Sequence, residues 1–284
     1  MGFRLKQLKI RDAGSHSAAC SCITMGALQL IVRVAVCCAF GAGVVEVFAE
    51  EVLVTPQVHS SVELQYGNVV IQVDPWSVAG SDRYSKADLI LVTDSPSHHL
   101  DLDLIEKIRK PHATIIAPAN SADLIPGAIA MNNGDMLRVA GMTIEAVAAY
   151  DIIEGSPEHP KGDANGYVVN VGGKLFFFAG VTECVEEVSS LRNIEVAFLP
   201  MNIPPGRMTP AAAADCAQII NPAVVYIYHF DQSYPRRASS GNPPPSQVGD
   251  MGRMVESIDE FAEAISESDV EFKRAEWYPA WQSR

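Results

Sequence analysis

The sequence predicts an α/β domain of two packed β-sheets covered by helices. Three observations predict it. Short apolar segments bounded by turn residues recur from residue 50 onward. Helical segments fall between them in both halves, and strand-rich halves with helices between them fit packed sheets in one domain. No linker or solenoid-period repeat interrupts the pattern. At 48% hydrophobic and 19% charged residues, the composition is that of a chain with a sizeable core and excludes disorder.

The elements follow in order. Val52 to Thr55, Val62 to Tyr66 and Val69 to Asp74 read as strands, with Tyr66-Gly67-Asn68 making the last two a hairpin. Asp88 to Thr93 is a nearly unbroken apolar run, as expected of a strand covered on both faces. Leu102 to Arg109 reads as a helix capped by Asp101, and Ala113 to Ala117 as a buried strand. After the turn Asn132-Asn133-Gly134-Asp135 come strands Met136 to Val139 and Met142 to Ala148. Tyr167 to Val171 and Lys174 to Phe178 form a hairpin across Gly172-Gly173. Glu195 to Leu199 is a strand, and Thr209 to Ile220 a helix with Pro210 at its first position. Val224 to His229 is a strand, Ala238 to Arg253 a Ser/Gly/Pro-rich loop, Met254 to Ser266 a helix, and Val270 to Lys273 a last strand.

The first 49 residues differ from the rest. They carry a net charge of +3, leaving −16 on the remainder. A basic start leads into an apolar run from Met25 to Ala49 that ends in Val47-Phe48-Ala49, small or medium side chains at a cleavage position. That is the layout of a secretory signal, and Met25 is an alternative start. The other reading is an uncleaved membrane anchor, although Arg33 and Glu46 interrupt the run. The domain assignment is therefore a leader at 1–49 and one domain at 50–284, exported to periplasm or medium. The acidic remainder excludes nucleic acid as a partner, because phosphates need a basic face. A membrane enters only through an uncleaved leader. Four of six cysteines lie in that leader; Cys184 and Cys216 remain, and two cysteines make no disulfide framework. They are expected to be buried and unpaired, one bridge in an oxidising compartment being the alternative.

Five of seven histidines stand at strand ends or in the loops that follow: His59, His98, His99, His159 and His229. Chemistry is usually placed there, and imidazole is the commonest metal ligand among side chains, so a shared metal site is the first reading. Taken singly, each is more often a structural histidine.

Asp88-Leu-Ile-Leu-Val-Thr93 followed by Asp94-Ser-Pro-Ser-His-His99-Leu-Asp101 resembles the signature of the metallo-β-lactamase superfamily, in which such a strand runs into T-H-x-H-x-D-H. Other segments match a lactonase-like, ascorbate-6-phosphate-lactonase-type branch in the same order. They include Val73-Asp74-Pro75-Trp76, His159-Pro160-Lys161-Gly162, Ala179-Gly180-Val181-Thr182-Glu183, Ala197-Phe198-Leu199-Pro200, Met208-Thr209-Pro210 and Tyr228-His229. The resemblance spans about residues 52 to 280. It implies an αββα sandwich, two packed mixed sheets covered by helices, with metal at one edge.

The resemblance also implies a degenerate metal motif. The first-metal positions fall on Asp94, Pro96, His159 and Val181, and neither proline nor valine has a ligand atom. The second-metal positions fall on His98, His99, Val181 and His229. Three histidines with a water form a recognised catalytic zinc arrangement, in which the metal brings the pKa of its water to about 7. The expected metal residues are therefore His98, His99 and His229, with Asp94 and His159, for one zinc or other divalent ion at most. His59, Thr182 and Glu183 are candidates for contacts behind the ligands or to substrate. Asp74 and Asp101 read as a turn former and a helix cap.

Two readings follow. One is a metal-dependent hydrolase of an ester, lactone, amide or phosphoester, acting on a small molecule through a metal-activated water. The other is a catalytically inactive relative serving as a binding or interaction protein. Nothing in the sequence singles out an antibiotic substrate.

Overall fold

A computed structural model describes residues 51–155, 157–203, 206–231, 248–275 and 277. All belong to the unit Glu50–Arg284; residues 1–49, the expected leader, lie outside the described residues. No helix among the described residues is long and apolar enough to cross a membrane.

The first sheet has six strands in sequence order: β1 (Val52–Val58), β2 (Ser61–Tyr66), β3 (Val69–Val73), β4 (Ala87–Leu91), β5 (Arg109–Ala117) and β6 (Ile129–Ala130). β1 to β3 form an antiparallel meander, and β3 to β6 run parallel. Helix α1 (Leu102–Ile108) joins β4 to β5, and α2 (Ala119–Ala122) precedes β6. The second sheet follows as β7 (Met136–Val139), β8 (Met142–Ala149), β9 (Ala164–Val171), β10 (Lys174–Phe178), β11 (Ile194–Pro200), β12 (Val224–Tyr228) and β13 (Glu271–Phe272), each beside the next. Its first four strands are antiparallel and its last four parallel. Helices α3 (Glu186–Ser189), α4 (Pro210–Ile220) and α5 (Val248–Ile265) connect the parallel part. Two mixed sheets with helices between their parallel strands make the expected α/β sandwich.

Strand β4 shows why its sequence is apolar but for Asp88. Leu89 and Leu91 pack between the sheets, whereas Ile90, with Val92 beyond the strand end, packs beneath Leu104, Ile105 and Ile108 of α1. Successive strand side chains point to opposite faces, so only a strand covered on both sides places apolar residues at every position. Phe177 and Phe178, on opposite faces of β10, and Phe198, stacked on Phe178, are fully buried, and burying each stabilises the fold by about 1.5–3 kcal/mol. Helix α1 begins where Asp101 Oδ1 accepts the Leu104 N–H at 3.0 Å, and Thr209 caps α4 in the same way on Ala212.

Four expectations change. Strand β1 continues past Thr55 through Pro56 to Val58; it is a sheet edge, where a missing N–H is tolerated, and the register shifts after Pro56. Helix α5 starts at Val248 rather than Met254, so the predicted loop Ala238 to Arg253 is helical over its last six residues; 238–247 lie outside the described residues. Strand β5 starts at Arg109 rather than Ala113. Finally, Cys184 and Cys216 are not unpaired: they form a disulfide with Cα atoms 5.6 Å apart. The bridge ties the loop after β10 to buried α4, which brings residues 32 apart in sequence within bonding distance.

Candidate metal centre

Strand ends from both sheets build the site. β1 ends at His59, β3 at Asp74 and β12 at His229, and each of these residues has left-handed backbone, with φ of 56°, 43° and 53°. Asp and His tolerate that conformation better than most residues, yet three together at one sheet edge form a concentration of strain of the kind functional sites hold. The turn after β4 supplies the rest. The Pro96 carbonyl accepts the N–H groups of both His99 and Leu100, at 2.8 and 2.9 Å, which folds His98 and His99 back over the strand ends. Pro96 thus shapes the loop without offering a ligand.

His59, His98, His99 and His229 converge. Each offers one ring nitrogen such that all four lie within 4.8 Å of one another. His99 Nε2 and His229 Nε2 are 3.0 Å apart, and the His59 and His229 rings are 3.7 Å between centroids. Three of the rings are buried; His98 is half-buried and gives the group its opening. The Trp76 indole covers one side, 5.8 Å from His59 and 6.0 Å from His98.

Two carboxylates orient two of the rings. His99 Nδ1 donates to Asp74 Oδ2 at 2.7 Å, and His59 Nδ1 donates to Asp231 Oδ1 at 2.5 Å. Asp74 is itself held by the Thr93 N–H at 2.8 Å and the Thr93 hydroxyl at 2.6 Å. Such pairing fixes the tautomer and leaves Nε2 of each ring as the ligand atom.

The charge states of two rings, His98 and His229, agree with that role. Burial pushes the His229 imidazole well below its ordinary pKa, and His59, His99 and His98 push it further. His98 is lowered by burial first, then by His99, His59 and His159. Burial opposes charge on His99 as well, but Asp74, with help from Asp94, outweighs it and raises this group. Neutral imidazoles at 98 and 229 keep lone pairs for a cation.

The other expected residues lie outside this group. Asp94 Oδ2 is 3.6 Å from His159 Nε2, and His159 Nδ1 is 3.6 Å from Asp151 Oδ2. They form a chain of their own beside the four rings. Thr182 is tied to the Tyr150 backbone, with the Tyr150 N–H donating to its hydroxyl oxygen at 3.1 Å. Glu183 takes the Ile152 N–H at 3.0 Å and a two-point ion pair from Arg207 at 2.9 and 3.0 Å. Both residues anchor the loop that runs to His159. Asp101 caps its helix and also takes the Ser77 N–H at 2.9 Å.

Sequence reasoning treated Asp74 as a turn former and passed over Asp231. Both stand at strand ends, next to the histidines they hold. The strand-end argument, applied to acids, would have marked both as candidates without showing which histidine each holds.

A two-sheet sandwich with clustered histidines at strand ends is a metallo-hydrolase type of site. The beta-lactamase superfamily domain matches residues 54–229, well over half of the chain, and the chain belongs to that superfamily. Among solved structures, a proposed metal-dependent hydrolase from Parabacteroides distasonis is 31% identical, with 80% of this chain and 94% of that one covered and a TM-score of 0.67. Igni18, a metallo hydrolase from Ignicoccus hospitalis, is 20% identical, with coverage of 78% and 94% and a TM-score of 0.59. The metallo-β-lactamase fold protein YhfI from Bacillus subtilis is 12% identical, with coverage of 78% and 92% and a TM-score of 0.55. The last two likenesses speak to the fold alone. No curated protein matches.

The residues present fit a divalent ion. Asp74 and Asp231 are 0% and 2% exposed, and among the described residues neither pairs with lysine or arginine. Asp231 Oδ2 is buried with no hydrogen-bond partner among them. Each carboxylate holds an imidazole N–H, Asp74 that of His99 and Asp231 that of His59, as the acids behind metal-binding histidines do. Zinc with nitrogen ligands at about 2.0–2.1 Å would set them roughly 3.3 Å apart, a contraction of about 1.5 Å from the 4.8 Å within which they lie.

Proposed function

We propose that this chain is a metal-dependent hydrolase of the lactonase-like branch, working with one divalent ion held by three of the four histidines His59, His98, His99 and His229, which leaves a position for a water. The observation that carries it is the convergence of four imidazoles with a buried carboxylate behind two of them. The ion, when bound, would acidify a water and polarise a carbonyl or phosphoryl oxygen of an ester, lactone, amide or phosphoester. The protein's own groups do the rest. Asp74 and Asp231 aim the rings, and Trp76 shields one side from bulk water. His159, 15% exposed between two acids, is placed to pass a proton to or from a leaving group at the mouth.

The superfamily's two-ion arrangement is not part of this proposal. The resemblance puts its bridging position on Val181, a buried apolar residue, and another ligand position on Pro96. Those losses favour the second reading, a relative that keeps the fold and only binds. The leader and the Cys184–Cys216 pair support export to an oxidising compartment.

The test is turnover of an ester, lactone and phosphoester panel by the purified protein, with and without chelator, beside a His229→Ala variant. Hydrolysis that is lost in the variant and in chelator supports the hydrolase. A protein that retains no ion and turns over no substrate is the binding relative.

A further inference from the structure

Away from the histidines, β1 ends the first sheet and β13 ends the second. Residues of both edges line a cavity of about 340 Å³, a size at which small-molecule sites begin. Its walls divide by chemistry. Val54 and Pro56 of β1 line it together with Ala275 and the Tyr226 ring. Tyr226 belongs to the apolar core, stacked on Phe198 at 4.9 Å, and Val54 and Ala275 pack against that core. Arg83, Lys273 and Arg274 line the same cavity, and no carboxylate does. Three cations around one small cavity are a local reversal of charge in a unit that carries −16.

What these cations already hold sets the charge of a ligand. Arg274 pairs with Asp259 and Lys273 stands 3.9 Å from Glu271, whereas Arg83 makes no ion pair among the described residues. One positive charge is left without a counter-charge, so a monoanion balances the cavity and a dianion exceeds it. A guanidinium takes a carboxylate through two parallel N–H···O bonds. Tyr226 adds a donor. Burial first, and Glu271 second, raise its phenol, which keeps the hydroxyl protonated at neutral pH.

We propose that this cavity binds a small organic carboxylate with an apolar body, the carboxylate on Arg83 and the body against Val54, Pro56 and Tyr226. None of its lining residues belongs to the four-histidine group, so the site is separate from the metal centre. A carboxylate binds there whether or not the metal centre hydrolyses anything.

The experiment titrates the full chain, dialysed free of metal and then of chelator, by calorimetry at low salt and pH 8. The probes are phenylacetate, its neutral amide phenylacetamide and the dianion phenylphosphonate. We expect one phenylacetate per chain with a dissociation constant of about 1 mM or tighter. Charge-assisted hydrogen bonds should make it about 10-fold or more tighter than the amide. Arg83→Ala should weaken phenylacetate by about 10-fold or more, and Lys174→Ala, which removes an exposed lysine of β10, should leave it unchanged. Weaker binding than this by the wild type, an amide that binds as well as the acid, or an affinity unmoved by Arg83→Ala overturns the site. Phenylphosphonate binding more tightly than phenylacetate overturns the assignment to a carboxylate. The comparison of acid with amide on the wild type decides should the arginine variant fold poorly.

Discussion

The backbone N–H of His229 donates to the carbonyl oxygen of His59 at 3.1 Å, which ties the end of β12 to the end of β1 and one sheet to the other at the metal centre. Both residues hold left-handed backbone, so the clip and the strain coincide. Asparagine tolerates that conformation and a β-branched residue does not. His59→Asn and His59→Val both remove the ring, and the valine form should be less stable by a further 1–2 kcal/mol or so. Urea unfolding of the two variants measures the difference; equal midpoints would remove strain from the account.

Asp231→Asn leaves the size of the side chain unchanged and removes the charge behind His59. Loss of such a partner typically weakens metal affinity by about 10–100-fold. Competition against a chromophoric zinc chelator reads this directly, and an unchanged affinity would make Asp231 a bystander.

An ion that binds only the folded chain must stabilise it. At free zinc about 100 times the dissociation constant, the gain is about 2.7 kcal/mol. For a domain of this size that is a rise of roughly 5–10 °C in the unfolding midpoint. Calorimetry with and without zinc, and with His229→Ala as control, checks it.

Acid should destabilise the metal-free protein. His98 and His229 have folded pKa values below the unfolded value of about 6.5, so the unfolded chain binds more protons and stability falls as pH drops below about 6.5. His99, raised in the fold by Asp74, contributes in the opposite sense, with stability present at low pH and lost as pH rises through its folded pKa. Two depressed groups against one raised give a net loss on acidification. Unfolding midpoints from pH 8 to pH 5 should decline, and less steeply in His98→Ala.

Cleaving the Cys184–Cys216 bridge releases a loop of 32 residues in sequence separation, worth about 3–4 kcal/mol in chain entropy. Reductant should lower the unfolding midpoint of the wild type and leave a Cys184→Ser/Cys216→Ser form unmoved.

Much of the fold was legible because local pattern and tertiary role agree. β4 reads as doubly covered because Leu89 and Leu91 face one apolar layer and Ile90 the other. Asp101 reads as a cap because a cap acts within three residues. What escaped depends on distance along the chain. His59 meets Asp231 from 172 positions away, and nothing near either residue announces the pairing. The disulfide escaped because two cysteines alone carry no spacing signal. β6, two residues long, is defined by its neighbour β5 and has no pattern of its own.

The four rings also set an order of events during biosynthesis. His59, His98 and His99 emerge from the ribosome within the first hundred residues, but His229 and Asp231 come well over a hundred residues later, on a strand of the other sheet. A nascent chain cannot complete the cage, nor can a truncated one or one whose sheets have docked out of register. An ion that needs all four rings would therefore be captured last, after both sheets have met.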